Sequence, residues 1–186
     1  ARGDDFKANV EVVSDAPDYA TAGTLSPDSV SVALWIKGTV QLPPGLSSYP
    51  LLRGVKCLAA YYFDRRGDRL VWGFSTNLSC TTAEVSASIA PDQWQHVVGT
   101  LERSADMAQA QLRLYVNGVP ADSLILKSGS FWQTGGHQYP LMMGRNRESA
   151  ATEYTNSFGG YLDDVRIYEG ILSAEQVAEL HASYSN

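Results

Sequence analysis

The chain has 186 residues, with 14 Lys or Arg against 20 Asp or Glu, a formal net charge of −6. That length suits one domain, residues 1–186, around one core. An acidic chain without a basic cluster argues against nucleic acid or anionic membrane as partner, and no apolar run reaches membrane-spanning length. In chain order, residues 30–36 read as a strand, with Val32, Leu34 and Ile36 on one face and Ser31, Ala33 and Trp35 on the other. Residues 42–48, rich in Pro, Gly and Ser, read as a loop within the domain. Residues 58–63 and 70–74 read as a hairpin around a polar tip at 64–68.

Residues 94–101 form the next predicted strand. Residues 112–116 alternate cleanly and run into Asn117-Gly118, a strong hairpin signal, with 124–126 returning. The short apolar stretch 141–144 leads into a polar loop at 145–157. Residues 160–168 combine Leu162, Val165, Ile167 and Tyr168 with the acids Asp163 and Asp164. A helix follows: Ser173 stands at the N-cap, Gln176 completes the capping-box spacing, and Val177 with Leu180 makes a small apolar stripe. Many strands, plentiful turns and one short helix predict an all-β sandwich.

Cys57 and Cys80 lie nearly equidistant from the tip of the 58–74 hairpin, so antiparallel pairing brings them opposite each other. A disulfide is the favoured reading, worth about 3 kcal/mol and implying an oxidising compartment. Two buried thiols are the alternative. Because the chain begins at Ala1 and not Met, it is expected to be a processed or excised piece of a longer protein. Arg2-Gly3-Asp4 spells an integrin tripeptide, read as coincidence at a chain end.

Four elements in order carry a family resemblance: Val32-Ala-Leu-Trp-Ile-Lys37, Trp94-Gln-His-Val97, Leu114-Tyr-Val-Asn-Gly118, and Gly160 to Tyr168 followed by Leu172-Ser173. Together the chain resembles the LamG-like jelly rolls, a branch of the concanavalin A-like lectin and glucanase superfamily that includes the pentraxins. The resemblance implies a two-sheet antiparallel jelly-roll β-sandwich with one short C-terminal helix. It makes Trp35, Trp94 and His96 structural residues. It also implies a secreted or cell-surface setting, with the domain appended to a catalytic or adhesion module.

The superfamily contains enzymes, so catalysis needs its own test. Retaining glycosidases place two carboxylates about 5–5.5 Å apart, most easily from acids two apart on one strand. No Glu-x-Asp-x-Glu pattern occurs, and Glu84, Glu102, Glu148, Glu153 and Glu169 are isolated. No Gly-x-Ser-x-Gly elbow is present either. The chain is expected not to be an enzyme.

Many relatives of this fold hold calcium beside the strand bearing the Asp-Asp pair, which implies Asp163 and Asp164 as ligands, with Asp18 of the 15–18 loop as the N-terminal donor that no motif fixes; alternatively Asp163 accepts backbone N–H bonds and caps a loop. For sugar binding, where aromatic faces stack on pyranose rings, Trp72 and Trp132 match no family position. Trp72 shares a strand face with Leu70 and Phe74 and could equally be buried. Trp132 lies in a Gly-rich loop with His137, and Arg145, Asn146, Arg147 and Tyr154 offer donors for hydroxyl, carboxylate or sulfate oxygens. The leading expectation is a non-catalytic carbohydrate-binding module that targets a polysaccharide or glycan. A protein-interaction or adhesion domain is the alternative.

Overall fold

The computed structural model describes residues 10–12, 28–39, 46–54, 58–76, 80–127, 141–144, 146–147, 154–155 and 157–184, with backbone alone described at 10–12, 146–147 and 154–155. In order, the strands are β1 (Val10–Val12), β2 (Ser29–Gly38), β3 (Ser47–Arg53), β4 (Tyr61–Arg66), β5 (Arg69–Ser75), β6 (Thr82–Ser88) and β7 (Gln95–Arg103). Then come β8 (Ala110–Val116), β9 (Val119–Leu126), β10 (Leu141–Met143), β11 (Asn146–Arg147), β12 (Tyr154–Thr155), β13 (Gly160–Glu169) and the helix α1 (Ala174–Ala182). They form a six-stranded sheet, β1-β10-β3-β4-β5-β6, a five-stranded sheet, β13-β2-β7-β8-β9, and a two-stranded ribbon, β11-β12. All pairings are antiparallel, and the chain crosses repeatedly between the two large sheets, as a jelly-roll sandwich requires.

The period-2 pattern decides which side chains meet between the sheets. Val30, Val32, Leu34 and Ile36 of β2, Val97 and Leu101 of β7, and Leu112 and Leu114 of β8 pack against Leu51, Tyr61, Phe63, Leu70, Trp72 and Phe74 of the six-stranded sheet. Trp72 is wholly buried and lies against Gly99 of β7; a Cβ there would stand 2.2 Å from its Cδ2. Its indole N–H donates to the Thr100 carbonyl at 3.0 Å, so this large ring is satisfied in the core.

On the opposite face of the five-stranded sheet, Ala33, Val98 and Tyr115 receive Val177 of α1, with Tyr168, Leu172 and Leu180 around them. The helix starts where predicted. Ser173 Oγ accepts from the Gln176 N–H at 3.2 Å, and Gln176 Oε1 accepts from the Ser173 N–H at 2.8 Å. Buried Ser31 ties the approach down, donating to the Gly170 carbonyl at 2.8 Å and accepting from the Leu172 N–H at 2.9 Å. The Asn117-Gly118 hairpin joins β8 to β9 with φ of 52° and 79°, the paired positive values of a type I′ turn.

Five strands had no prediction: short β1, the β11-β12 ribbon inside the expected polar loop at 145–157, and the longer β3 and β6. In β3, Pro50 breaks the alternation, and the register shifts between Ser48 and Leu51, where a bulge accommodates a residue without an N–H. β6 is built of Thr, Ala, Glu, Val and Ser, and packing of Ala83 and Val85 into the core outweighs its weak propensity. The predicted tip at 64–68 is narrower than expected: the strands reach Arg66 and Arg69, leaving Gly67 and Asp68 as the turn, and Asp64 and Arg65 are buried. No helix among the described residues is long and apolar enough to cross a membrane.

Candidate functional site

The helix covers only part of the outer face of the five-stranded sheet. At the other end of that face stand two exposed rings. Trp94, just before β7, is 45% exposed, and Tyr161 of β13 is 48% exposed; their centroids lie 6.2 Å apart with planes 47° to each other. Both β7 and β13 flank β2. Tyr161 pairs with Lys37, and Trp94 follows directly beyond the Ile36–Gln95 pair, so Lys37 lies between the two rings. Lys37 Nζ reaches Asp92 Oδ1 at 3.2 Å, and the exposed Asp163 stands two residues along from Tyr161.

Trp35 joins this platform to the helix end. Its ring lies 5.3 Å from His96, 5.7 Å from His181 in a stacked arrangement and 5.3 Å from Tyr184. The Arg166 guanidinium sits over the Tyr184 ring at 5.5 Å. Burial pushes the His96 imidazole down to about 4, with nearby His181 adding to the effect, so His96 is neutral near pH 7. Its side chain is buried, as expected of a structural histidine, and its backbone N–H donates to Asn117 Oδ1 at 3.0 Å while its carbonyl accepts from the Asn117 N–H at 2.7 Å.

A second polar cluster lies on the outer face of the six-stranded sheet. Arg66 binds both Glu84 oxygens, at 2.8 and 2.7 Å, and donates from Nε to Asp64 Oδ2 at 2.6 Å. The Tyr62 hydroxyl donates to Glu84 Oε1 at 2.6 Å, passing over Gly73, where a Cβ would stand 2.8 Å from the Tyr62 hydroxyl oxygen. Burial pushes the Glu84 carboxyl up, but the Arg66 fork and the Tyr62 hydroxyl outweigh it and hold it below the usual carboxylate range. Asp64 is raised by burial despite Arg66. Sequence spacing missed this carboxylate pair because the acids come from β4 and β6, two strands apart across β5. Arg66 thus bridges the two carboxylates, while the buried Asp64 Oδ1 has no hydrogen-bond partner among the described residues.

The structure removes Trp72 from the expected ligand-binding residues. It is wholly buried against Phe63 at 4.7 Å and Tyr61 at 5.7 Å, and presents no face to a ligand. Trp94 moves the other way, from expected core to exposed surface, because its register places it on the outer face with His96. Trp132, His137 and Arg145 lie outside the described residues, as do the side chains of Asn146, Arg147 and Tyr154. The backbones of Asn146, Arg147 and Tyr154 pair in the β11-β12 ribbon. Tyr161 and Asp92 were not singled out in the sequence; alternation against Leu162, which packs on the core, was the available signal for Tyr161.

Asp163 and Asp164 straddle a register shift in β13, with Asp164 at φ 45°. Asp164 grips Arg166 through Oδ1 at 2.9 Å and Oδ2 at 2.8 Å, while Asp163 Oδ1 accepts the Asp164 N–H at 2.8 Å. A calcium ion at these acids would compete with the Arg166 guanidinium for Asp164. Among the described residues no group of three or more His, Cys, Asp or Glu could hold a metal, and Asp18 lies outside them. Cys57 also lies outside the described residues; Cys80, just before β6, is not a free thiol.

A two-sheet jelly roll with a helix on one face and exposed aromatics beside it defines the class of the chain. The Laminin_G_3 family model, described as concanavalin A-like lectin/glucanases superfamily, matches residues 14–178, and the chain belongs to that family. No curated protein matches it. Among solved structures it is similar to botulinum neurotoxin type C, reported as dependent on two ganglioside molecules for entering cells, at 17% identity and a TM-score of 0.59 over 83% of this chain and 35% of that one. It is similar to the receptor-binding domain of a mosaic C/D neurotoxin at 15% identity and a TM-score of 0.64, over 88% of this chain and 38% of that one. It is also similar to the heptameric SAP-like pentraxin of Limulus polyphemus, at 16% identity and a TM-score of 0.58, over 83% of this chain and 70% of that one. The chain therefore spans about a third of the neurotoxin chains it matches, and these likenesses bear on fold alone.

Proposed function

We propose that this chain is a non-catalytic carbohydrate-binding module of a secreted or surface protein, attached to a catalytic or adhesion partner. The observation that carries the reading is the exposed Trp94–Tyr161 pair at the end of the sheet face that the helix partly covers. Two large, half-exposed aromatic rings on a sheet face can stack on the C–H faces of sugars, and Lys37, Asp92 and Asp163 supply donors and acceptors for hydroxyls beside them. Ganglioside dependence of a neurotoxin with this fold agrees with the reading without specifying the sugar. Trp132, His137, Arg145, Asn146, Arg147 and Tyr154 remain a second proposed contact surface, on sequence grounds.

A glycan array probed with the purified chain and with Trp94→Ala and Trp132→Ala tests the module and its face together. Binding lost with Trp94→Ala places the sugar on the sheet face, and binding lost only with Trp132→Ala transfers it to the loop. Silence across plant, algal and animal glycans overturns the reading.

A further inference from the structure

Resting on the carbohydrate reading, we infer that the Trp94–Tyr161 platform selects a neutral, soluble polysaccharide chain, against both crystalline polysaccharide surfaces and anionic polymers. The first half follows from ring geometry. A crystalline polysaccharide presents its sugar faces in one plane, and the aromatics that hold it must be coplanar. Here the planes diverge by 47° over a 6.2 Å centroid separation, so a flat ribbon that lies on Trp94 meets Tyr161 at an angle. A free chain turns at each linkage and lays one sugar on each ring.

The second half follows from charge. Among the described residues the cation between the rings is Lys37, paired with Asp92 at 3.2 Å, and the next acid along β13, Asp163, is exposed. Arg166 is held by Asp164 through both carboxylate oxygens and is turned over Tyr184. The groups beside the platform therefore sum to a net negative charge, on a chain that carries −6 overall. Among the described residues a uronate or sulfate would lose its water to meet acids with no uncommitted cation, whereas hydroxyls find acceptors in Asp92 and Asp163 and a donor in Lys37.

Isothermal titration against soluble neutral glucan and galactan oligosaccharides, alginate and a sulfated galactan, with a pull-down on microcrystalline cellulose, tests the inference. At least one neutral oligosaccharide is expected to bind with an affinity that changes less than about twofold as salt rises through the screening range. Trp94→Ala and Tyr161→Ala should each weaken it about tenfold, a loss of one stacked ring. Trp94→Phe, which keeps a ring, should recover most of it, and unchanged melting of each variant separates lost contact from lost fold. Salt-sensitive binding to alginate or the sulfated galactan, or retention on cellulose, overturns the ligand class while leaving carbohydrate binding intact. Binding to none of the sugars overturns the underlying reading instead.

Discussion

Gly99→Ala places a single methyl group where the sandwich has no room for it. Gly99 is not among the positive-φ glycines, so its backbone tolerates any residue and the effect is purely one of packing. The added Cβ would meet Trp72 Cδ2 at 2.2 Å and Cε2 and Cε3 at 2.6 Å, far inside contact distance, against a ring with zero exposure. The indole cannot slide freely, because Phe63 and Tyr61 hold it from the six-stranded sheet and its N–H is bound to Thr100. Overpacking of this kind costs about 1–3 kcal/mol. Dragging the indole N–H off the Thr100 carbonyl costs roughly 1–3 kcal/mol more. A central value of about 3–4 kcal/mol is a large share of a total of about 5–15 kcal/mol and lowers the melting temperature by roughly 10 °C. Urea unfolding followed by tryptophan fluorescence reads it directly. The double variant Gly99→Ala/Trp72→Phe, in which the smaller ring makes room, should be less destabilised than the sum of its parts by about 1 kcal/mol or more. A Gly99→Ala chain within about 0.5 kcal/mol of the parent would refute this account of how the two sheets meet.

Further outcomes follow from other parts of the fold. His96 has a folded-state pKa of about 4, below its ordinary 6.5, so the unfolded chain binds more protons between those values. Its stabilisation is complete above pH 6.5 and is lost as pH falls toward 4, on the order of 2–3 kcal/mol; His96→Gln should flatten that part of the stability–pH curve. Ser173→Ala removes the capping box that seats Val177 on the sheet and should cost about 1 kcal/mol in thermal unfolding. Since Arg166 already occupies Asp164, EDTA should leave the melting temperature unchanged, and a fall of several degrees would show a bound calcium that this arrangement does not provide for. The proposed Cys57–Cys80 disulfide predicts an intact mass that rises by two hydrogens on reduction and a melt lowered by reductant.

Residues that act locally were legible from the sequence. Asn117-Gly118 dictates a type I′ turn wherever it falls, and Ser173 with Gln176 caps a helix without help from the rest of the chain, because both devices satisfy backbone groups within a few residues. The alternation of Val32, Leu34 and Ile36 likewise reports one buried face. β3 and β6 were not legible, since a bulge at Pro50 and a weak strand of small polar residues are stabilised only by neighbours distant in the chain.

Function divides along the same line. By itself the sequence determined the sandwich, its capped helix and its family, because four spaced motifs each encode a local pairing or packing pattern. Only the tertiary structure decided which tryptophans face water. Trp72 and Trp94 both look like strand aromatics, yet Trp72 fills the space that Gly99 leaves open, while Trp94 stands beyond the reach of α1 on the outer face beside Tyr161. Burial depends on what another strand or helix brings to the same face, and that partner lies far away in the chain.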